Sequence, residues 1–347
     1  MSANTVVAAW WSLTGRRLAA LAALTTFLAA AFVIDLGTGP ARLAPGEVVA
    51  ALFGRAPDPT TVAIVRNIRL PMAIMGLLVG FSLGLSGAVV QTVLANPLAS
   101  PYTLGLAGAA GFGAALAIVL DLPLPILAEA RTALSAFLFA ALAAALLLLL
   151  GRLRDGRPET LVLAGLAILF LFQALLSLLQ YLATPEALSQ IVFWLFGSLA
   201  RANGTKNVIL AAILAVALPA LMRLAWRLAA LRLGEERAAA LGARPGALRL
   251  EALAWVSAAT AAAVAFAGTI GFVGLVAPHL ARALVGEDQR YLLPVSGLCG
   301  ALFLLAASTA SRAIVPGSIL PIGILTALVG VPFLVGLVLR RGRGSLS

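Results

Sequence analysis

The residues that could do chemistry in this 347-residue chain are few and scattered. There is one histidine, His279, one cysteine, Cys299, and four separate methionines. Transition-metal sites need clusters of His, Cys, Met or carboxylate ligands, so no path for a bare metal ion is legible. His279 follows Pro278 and reads as a hydrogen-bonding residue between helices. Cys299 lies in an apolar stretch and reads as packing. The only lysine stands in Gly204-Thr205-Lys206-Asn207. That stretch lacks the first glycine and the hydroxyl residue with which a phosphate loop holds nucleotide and magnesium. No paired aspartates, zinc motif or Ser–His pair falls within an apolar stretch, so no catalytic residue, metal site or cofactor is expected in the chain itself. Asp35, Asp121, Glu129 and Glu251 fall at the ends of apolar stretches or between them. A proton- or sodium-coupled carrier places such groups inside the membrane, and that pattern is missing.

The elements around these residues are apolar. Of all residues 62% are hydrophobic and 11% charged, with a mean hydropathy of +1.07; soluble domains carry roughly 25% charged residues. The pattern predicts an all-α polytopic membrane protein with about ten transmembrane helices. Their expected spans are Leu18–Leu36, Leu70–Val90, Leu104–Leu120, Thr132–Leu150, Leu161–Leu182, Asn207–Met222, Ala252–Ala267, Gly268–Ala283, Leu292–Ser311 and Pro321–Leu339. The seventh and eighth are short and meet at Gly268, as a tight hairpin would. Under the positive-inside rule, cytoplasmic termini put sixteen of the 24 Lys and Arg inside, among them Arg340, Arg341 and Arg343, and eight, including Arg42, outside. The net charge of +11 is therefore a topology signal. No Lys/Arg run interleaved with aromatics suggests nucleic acid.

Residues 1–347 read as a single membrane domain with two longer extramembrane segments. Residues 41–69 are expected outside, with a short helix over Pro45–Phe53. Residues 223–251 are expected inside as one or two short helices, where Leu233-Gly234-Glu235-Glu236-Arg237-Ala238-Ala239-Ala240-Leu241-Gly242 is bracketed by glycines. In the second span Gly76, Gly80, Gly84 and Ala88 recur every four residues, which lets helix backbones approach closely. Gln91 and Asn96 are placed to brace its inner end.

Several motifs in order carry a more specific signal. Arg69-Leu70-Pro71, Gly80, Leu85-Ser86-Gly87-Ala88, Gln91, Asn96-Pro97-Leu98-Ala99, Pro101 and Leu104-Gly105 come first. Leu163-Ala164-Gly165 and Trp194-Leu195-Phe196-Gly197-Ser198-Leu199 follow. Gly268-Thr269-Ile270-Gly271-Phe272-Val273-Gly274-Leu275-Val276-Ala277-Pro278-His279, Arg282, Gly286, Leu293-Pro294, Arg312, Leu320-Pro321-Ile322-Gly323 and Gly330-Val331-Pro332-Phe333 close the series. The set resembles the iron-siderophore, haem and cobalamin permeases of type II ABC importers. That resemblance implies a permease subunit, not an enzyme, in a bacterial inner membrane. It implies a second permease subunit, most simply a homodimer, two ATPase subunits that hold ATP and Mg, and a periplasmic binding protein. It implies that Arg69 and Arg312 face outward to dock that protein. Leu233, Gly234, Glu235, Ala238, Leu241 and Gly242 would contact the ATPase, and Pro158, Glu159 and Thr160 lie where the family has its cytoplasmic gate loop, Gly156–Thr160. Gly76, Gly80, Gly84, Gln91, Asn96 and Pro97 would be packing residues. Two departures stand out: Met72 where many members carry a second arginine, and Ser308 where many carry aspartate.

Overall fold

The computed structural model describes residues 3–39, 43–56, 58–121, 130–315 and 318–343. Arg42 and Glu129 lie outside them, as do the side chains of Arg340, Arg341 and Arg343. Every regular element described is helical. In chain order these are α1 (Ala3–Gly37), α2 (Pro45–Leu52), α3 (Pro59–Ala63), α4 (Leu70–Val93), α5 (Leu106–Leu120), α6 (Arg131–Arg152), α7 (Pro158–Leu182), α8 (Pro185–Leu195), α9 (Gly204–Leu231), α10 (Glu235–Ala240), α11 (Pro245–Ala267), α12 (Val273–Val285), α13 (Gln289–Ala313) and α14 (Ile322–Arg343). A π-helical turn, Ile64–Arg69, joins α3 to α4, just ahead of Pro71, which has no N–H to give a regular turn.

Among the described residues seven helices are long and apolar enough to cross a membrane, with three shorter apolar ones at Leu106–Leu120, Val273–Val285 and Ile322–Leu337. Each expected span falls on one of these ten, with corrections. The eighth does not begin at Gly268. Gly268 (φ +78°) and Phe272 (φ +66°) hold left-handed backbone, so helix resumes only at Val273. At about 1.5 Å per residue the 13 residues of α12 rise roughly 20 Å, short of a bilayer's ~30 Å. The sixth expected span is too short: α9 runs on to Leu231, because Leu221, Leu224, Ala225, Leu228 and Leu231 continue its buried stripe at helical spacing. Only residues 232–244 separate it from α11, so most of the expected segment 223–251 is helix of the bundle.

α4 is the central helix. Its apolar window is 78% buried, against 17% for α1, and it packs on α9, α11, α12 and α13. Glycines make this possible. A Cβ on Gly80 would lie 2.4 Å from the carbonyl oxygen of Gly300, one on Gly84 2.1 Å from that of Ser296, and one on Gly87 1.9 Å from that of Gly274. Gly76 instead faces side-chain tips of Leu199 and Leu305.

Candidate functional site

At one end of the bundle α10 stands between α9 and α11. Gly234 (φ +101°) and Gly242 (φ +82°) bound it, and nothing lies within 4 Å of a Cβ built on either. Their backbone conformation alone calls for glycine. The C-terminal turn closes through Gly242 N–H to Ala239 O (2.9 Å) and Ala243 N–H to Ala238 O (3.0 Å). Leu233 and Leu241 are 54% and 68% exposed. Ala238, expected on the outer contact surface, is instead fully buried in the core that holds Leu228, Leu231 and Leu248. A short helix offers only one face outward, and Ala238 lies on the other.

Of the expected gate loop Gly156–Thr160, only residues 156 and 157 lie outside helix. Pro158, Glu159 and Thr160 form the first turn of α7, where proline's fixed φ and a carboxylate both suit a helix start. The connection is residues 153–157, turning through Asp155 (φ +54°) and Gly156 (φ +65°). It lies directly on the start of α11: a Cβ on Gly246 would be 2.0 Å from Asp155 O. Arg249 of α11 is buried here. Its Nε donates to Val93 O (2.9 Å), Nη1 to Gly156 O (3.5 Å) and Nη2 to the Glu235 carboxylate (2.6 Å).

The C-terminal end of α4 is braced as follows. Gln91 accepts from Arg282 Nη1 (2.6 Å), and its amide lies 3.4 Å from Gly274 O. Asn96 accepts from Leu98 N–H (2.9 Å), and Pro97 O lies 3.1 Å from His279 Nε2. Glu287 pairs with both Arg282 (3.2 Å) and Arg232 (2.5 Å), tying α12 to the end of α9. Asp288 pairs with Arg290 (2.7 Å) and Arg17 (3.0 Å). The hydrogen bond from Arg290 holds its carboxyl below the usual carboxylate range.

Toward the far end of the helices lie Arg69 and Arg312, the residues expected to dock a binding protein, with their side chains inside the bundle. Both are under 10% exposed. Arg69 Nη1 donates to Leu36 O (2.8 Å). Arg312 forms an ion pair with Asp35 of α1 and reaches Ser308 Oγ (3.1 Å) and Thr38 O (3.1 Å). The carboxylate missing at position 308 is thus supplied by Asp35, which is completely buried and also accepts from Thr309 (3.1 Å). Met72 is buried in a cluster with Met75, Leu199 and Leu304, a place for an apolar side chain.

Sequence reading missed two further features. One is α8, although Thr184-Pro185-Glu186 is a helix-start signal and Thr184 Oγ1 accepts from Ala187 N–H (3.3 Å). Beside it lies a cavity of about 610 Å³ lined by Gln190, Trp194, Arg201, Asn203 and Lys206. Burial pushes the Arg201 guanidinium below its ordinary pKa; it donates to Phe193 O (3.1 Å) and sits 5.8 Å over Trp194. The other is a polar stripe on α7. Gln173, Ser177 and Tyr181, spaced by four, are exposed and Gln180 is half-exposed, within a helix apolar enough to span a membrane.

These elements define a multi-pass membrane protein with a short helix projecting from one end and a polar face along one span. The architecture matches a metal-chelate type ABC transporter solved in an inward-facing conformation, with a TM-score of 0.82 and 36% identity, covering 92% of this chain and 98% of that one. The Fe(3+)-citrate import permease of Bacillus subtilis is 37% identical, over 92% of this chain and 94% of the relative. The molybdate import permease of Haemophilus influenzae is 36% identical, over 93% and 96%. The family model described as the FecCD transport family matches residues 27–340. The chain belongs to the FecCD transport family, and is an ABC transporter permease subunit.

Proposed function

We propose that this chain is the membrane-spanning subunit of an ATP-driven importer for a metal chelate, a ferric siderophore, ferric citrate or haem, with cobalamin and oxoanions such as molybdate as the wider range. Ten spans with both termini in the cytoplasm carry the path in a bacterial inner membrane. Two copies form a dimer around it, two ATPase subunits holding ATP and Mg bind beneath, and a periplasmic binding protein delivers the cargo.

The observation that carries this reading is the stripe Gln173, Ser177, Gln180 and Tyr181 on α7. An amide facing hydrocarbon leaves its donors and acceptors unsatisfied at a cost of about 2–7 kcal/mol. The stripe is therefore read as facing water or a second copy of the chain. α10 supports the rest of the proposal. Its exposed leucines, Leu233 and Leu241, suit a groove on an ATPase, while buried Ala238 fixes it to the bundle. Docking through Arg69 and Arg312 is retained as an exchange, in which a carboxylate of the binding protein takes Arg312 from Asp35.

The test is uptake of radiolabelled ferric citrate, haem, cyanocobalamin and molybdate into proteoliposomes holding the permease, its ATPase and its binding protein. ATP-dependent accumulation of one chelate is expected. Transport by the permease alone, without an ATPase, would overturn the proposal in favour of a secondary carrier or channel.

A further inference from the structure

A single buried side chain joins the three parts on which coupling between ATPase and path would depend. Arg249 lies in the second turn of α11, and only 6% of its side chain is exposed. Its three nitrogens reach three different places. Nε meets Val93 O in the last turn of α4, Nη1 faces Gly156 O in the 153–157 connection, and Nη2 holds the carboxylate of Glu235, the first residue of α10. We propose that Arg249 is the positioning residue that transmits a displacement of α10 to the end of α4 and to the start of α7. This rests on the reading of α10 as the ATPase contact.

The physical case has three parts. A guanidinium is planar and rigid, so its three donors keep their mutual geometry when one of them is moved. Separating Glu235 from Arg249 would leave a buried cation unpaired, which is among the costliest local changes. Moving α10 and Arg249 together is the cheaper response. The connection must then follow α11, because Gly246 lies against Asp155 backbone to backbone, with no room even for a methyl group. The 153–157 connection has no side-chain slack in which the displacement could be absorbed. It passes directly into Pro158 and the first turn of α7, the helix whose polar stripe is read as facing water or a second copy of the chain. α4 is reached in parallel, since the cation also satisfies a carbonyl at that helix's C-terminal end.

Two variants of the complete transporter, with its ATPase and binding protein in proteoliposomes, separate transmission from mere support. Arg249→Lys keeps the charge, but a compact ammonium cannot span all three acceptors. Glu235→Gln removes the ion pair and leaves Arg249 in place. Uptake per ATP hydrolysed, measured with the chelate that the native transporter accumulates, is expected to fall about tenfold in Arg249→Lys, and by a smaller factor in Glu235→Gln, as for other residues that act through packed networks. The ATPase should co-purify with Arg249→Lys at the wild-type ratio. A second readout does not depend on the cargo. Spin labels on Arg237→Cys and Arg154→Cys should keep one separation with and without ATP in the otherwise native protein, and show two in Arg249→Lys. An unchanged uptake-to-ATP ratio in both variants, or a label separation that Arg249→Lys leaves invariant, would overturn the proposal. If Arg249→Lys fails to assemble, Glu235→Gln decides alone by the same ratio. If native protein shows no ATP-driven uptake of ferric citrate, haem, cyanocobalamin or molybdate, the importer reading fails, and the label pair still reports whether α10 and the 153–157 connection are linked through Arg249.

Discussion

Substituting Gly84 by alanine tests the central packing of α4 with a single methyl group. The new Cβ would lie 2.1 Å from Ser296 O and 3.0 Å from Ser296 C. Real Cβ contacts begin at about 3.0 Å, so α4 and α13 must part by 3.0 − 2.1, about 0.9 Å. Neither partner can yield locally, because both contacting atoms are backbone. Overpacking of this kind costs about 1–3 kcal/mol, and a backbone clash belongs at the upper end. Alanine's better helix propensity returns up to about 1 kcal/mol, leaving a net loss of about 2 kcal/mol. Gly76→Ala is the internal comparison. Its Cβ meets only Leu199 Cδ1 at 3.1 Å and Leu305 Cδ2 at 3.4 Å, tips that rotate aside, so its net effect should be near zero. The two variants should therefore differ by about 2 kcal/mol, some 30-fold in the unfolding equilibrium at about 1.4 kcal/mol per tenfold. Unfolding in mixed detergent micelles, followed by tryptophan fluorescence, measures this directly. Equal stability of Gly84→Ala and Gly76→Ala would refute the claim that backbone contact, and not small size alone, explains the glycines of α4.

Three further outcomes are expected. Asp35→Ala leaves the guanidinium of Arg312 buried without its carboxylate and should cost about 3–5 kcal/mol, whereas Asp35→Leu with Arg312→Met should cost less; the same unfolding measurement checks both. Gln173→Leu with Gln180→Leu should preserve yield and stability yet reduce ATP-driven uptake of the chelate that the native transporter accumulates at least severalfold; unaltered uptake would remove the α7 stripe from the path. Asp288 has a lowered folded-state pKa, so its pairing contributes stability above the unfolded value of about 3.9 and loses it as pH falls through the lower folded value. Asp288→Asn should accordingly be less stable than native protein at pH 7, and the gap should narrow in melts near about pH 3.

Much of the architecture was legible because membrane helices are written locally. Length and apolarity mark the spans, arginines flank most of them, and a four-residue glycine period marks a helix that others approach closely. The ordered motifs from Arg69 to Phe333 marked the family. α8 was equally local, since Thr184-Pro185-Glu186 is a start signal, but an 11-residue amphipathic helix is too short to register as a span. The segment expected at residues 223–251 was misjudged at its edges. Arg223 and Arg227 look like loop charges, while the buried stripe that keeps α9 helical through them appears only when its packing partners are known.

Charges show the limit most clearly. By itself the sequence determined that this is a membrane protein, which helix packs on glycine, and which ends of most spans collect arginine. It could not distinguish an arginine at the lipid surface from one sealed inside the bundle, because both occur at span ends. Only the tertiary structure brought Asp35 to Arg312, 277 residues apart, and Arg249 to Val93, Gly156 and Glu235. Those pairings depend on which helix ends meet, and that is set by the packing of the whole bundle around α4.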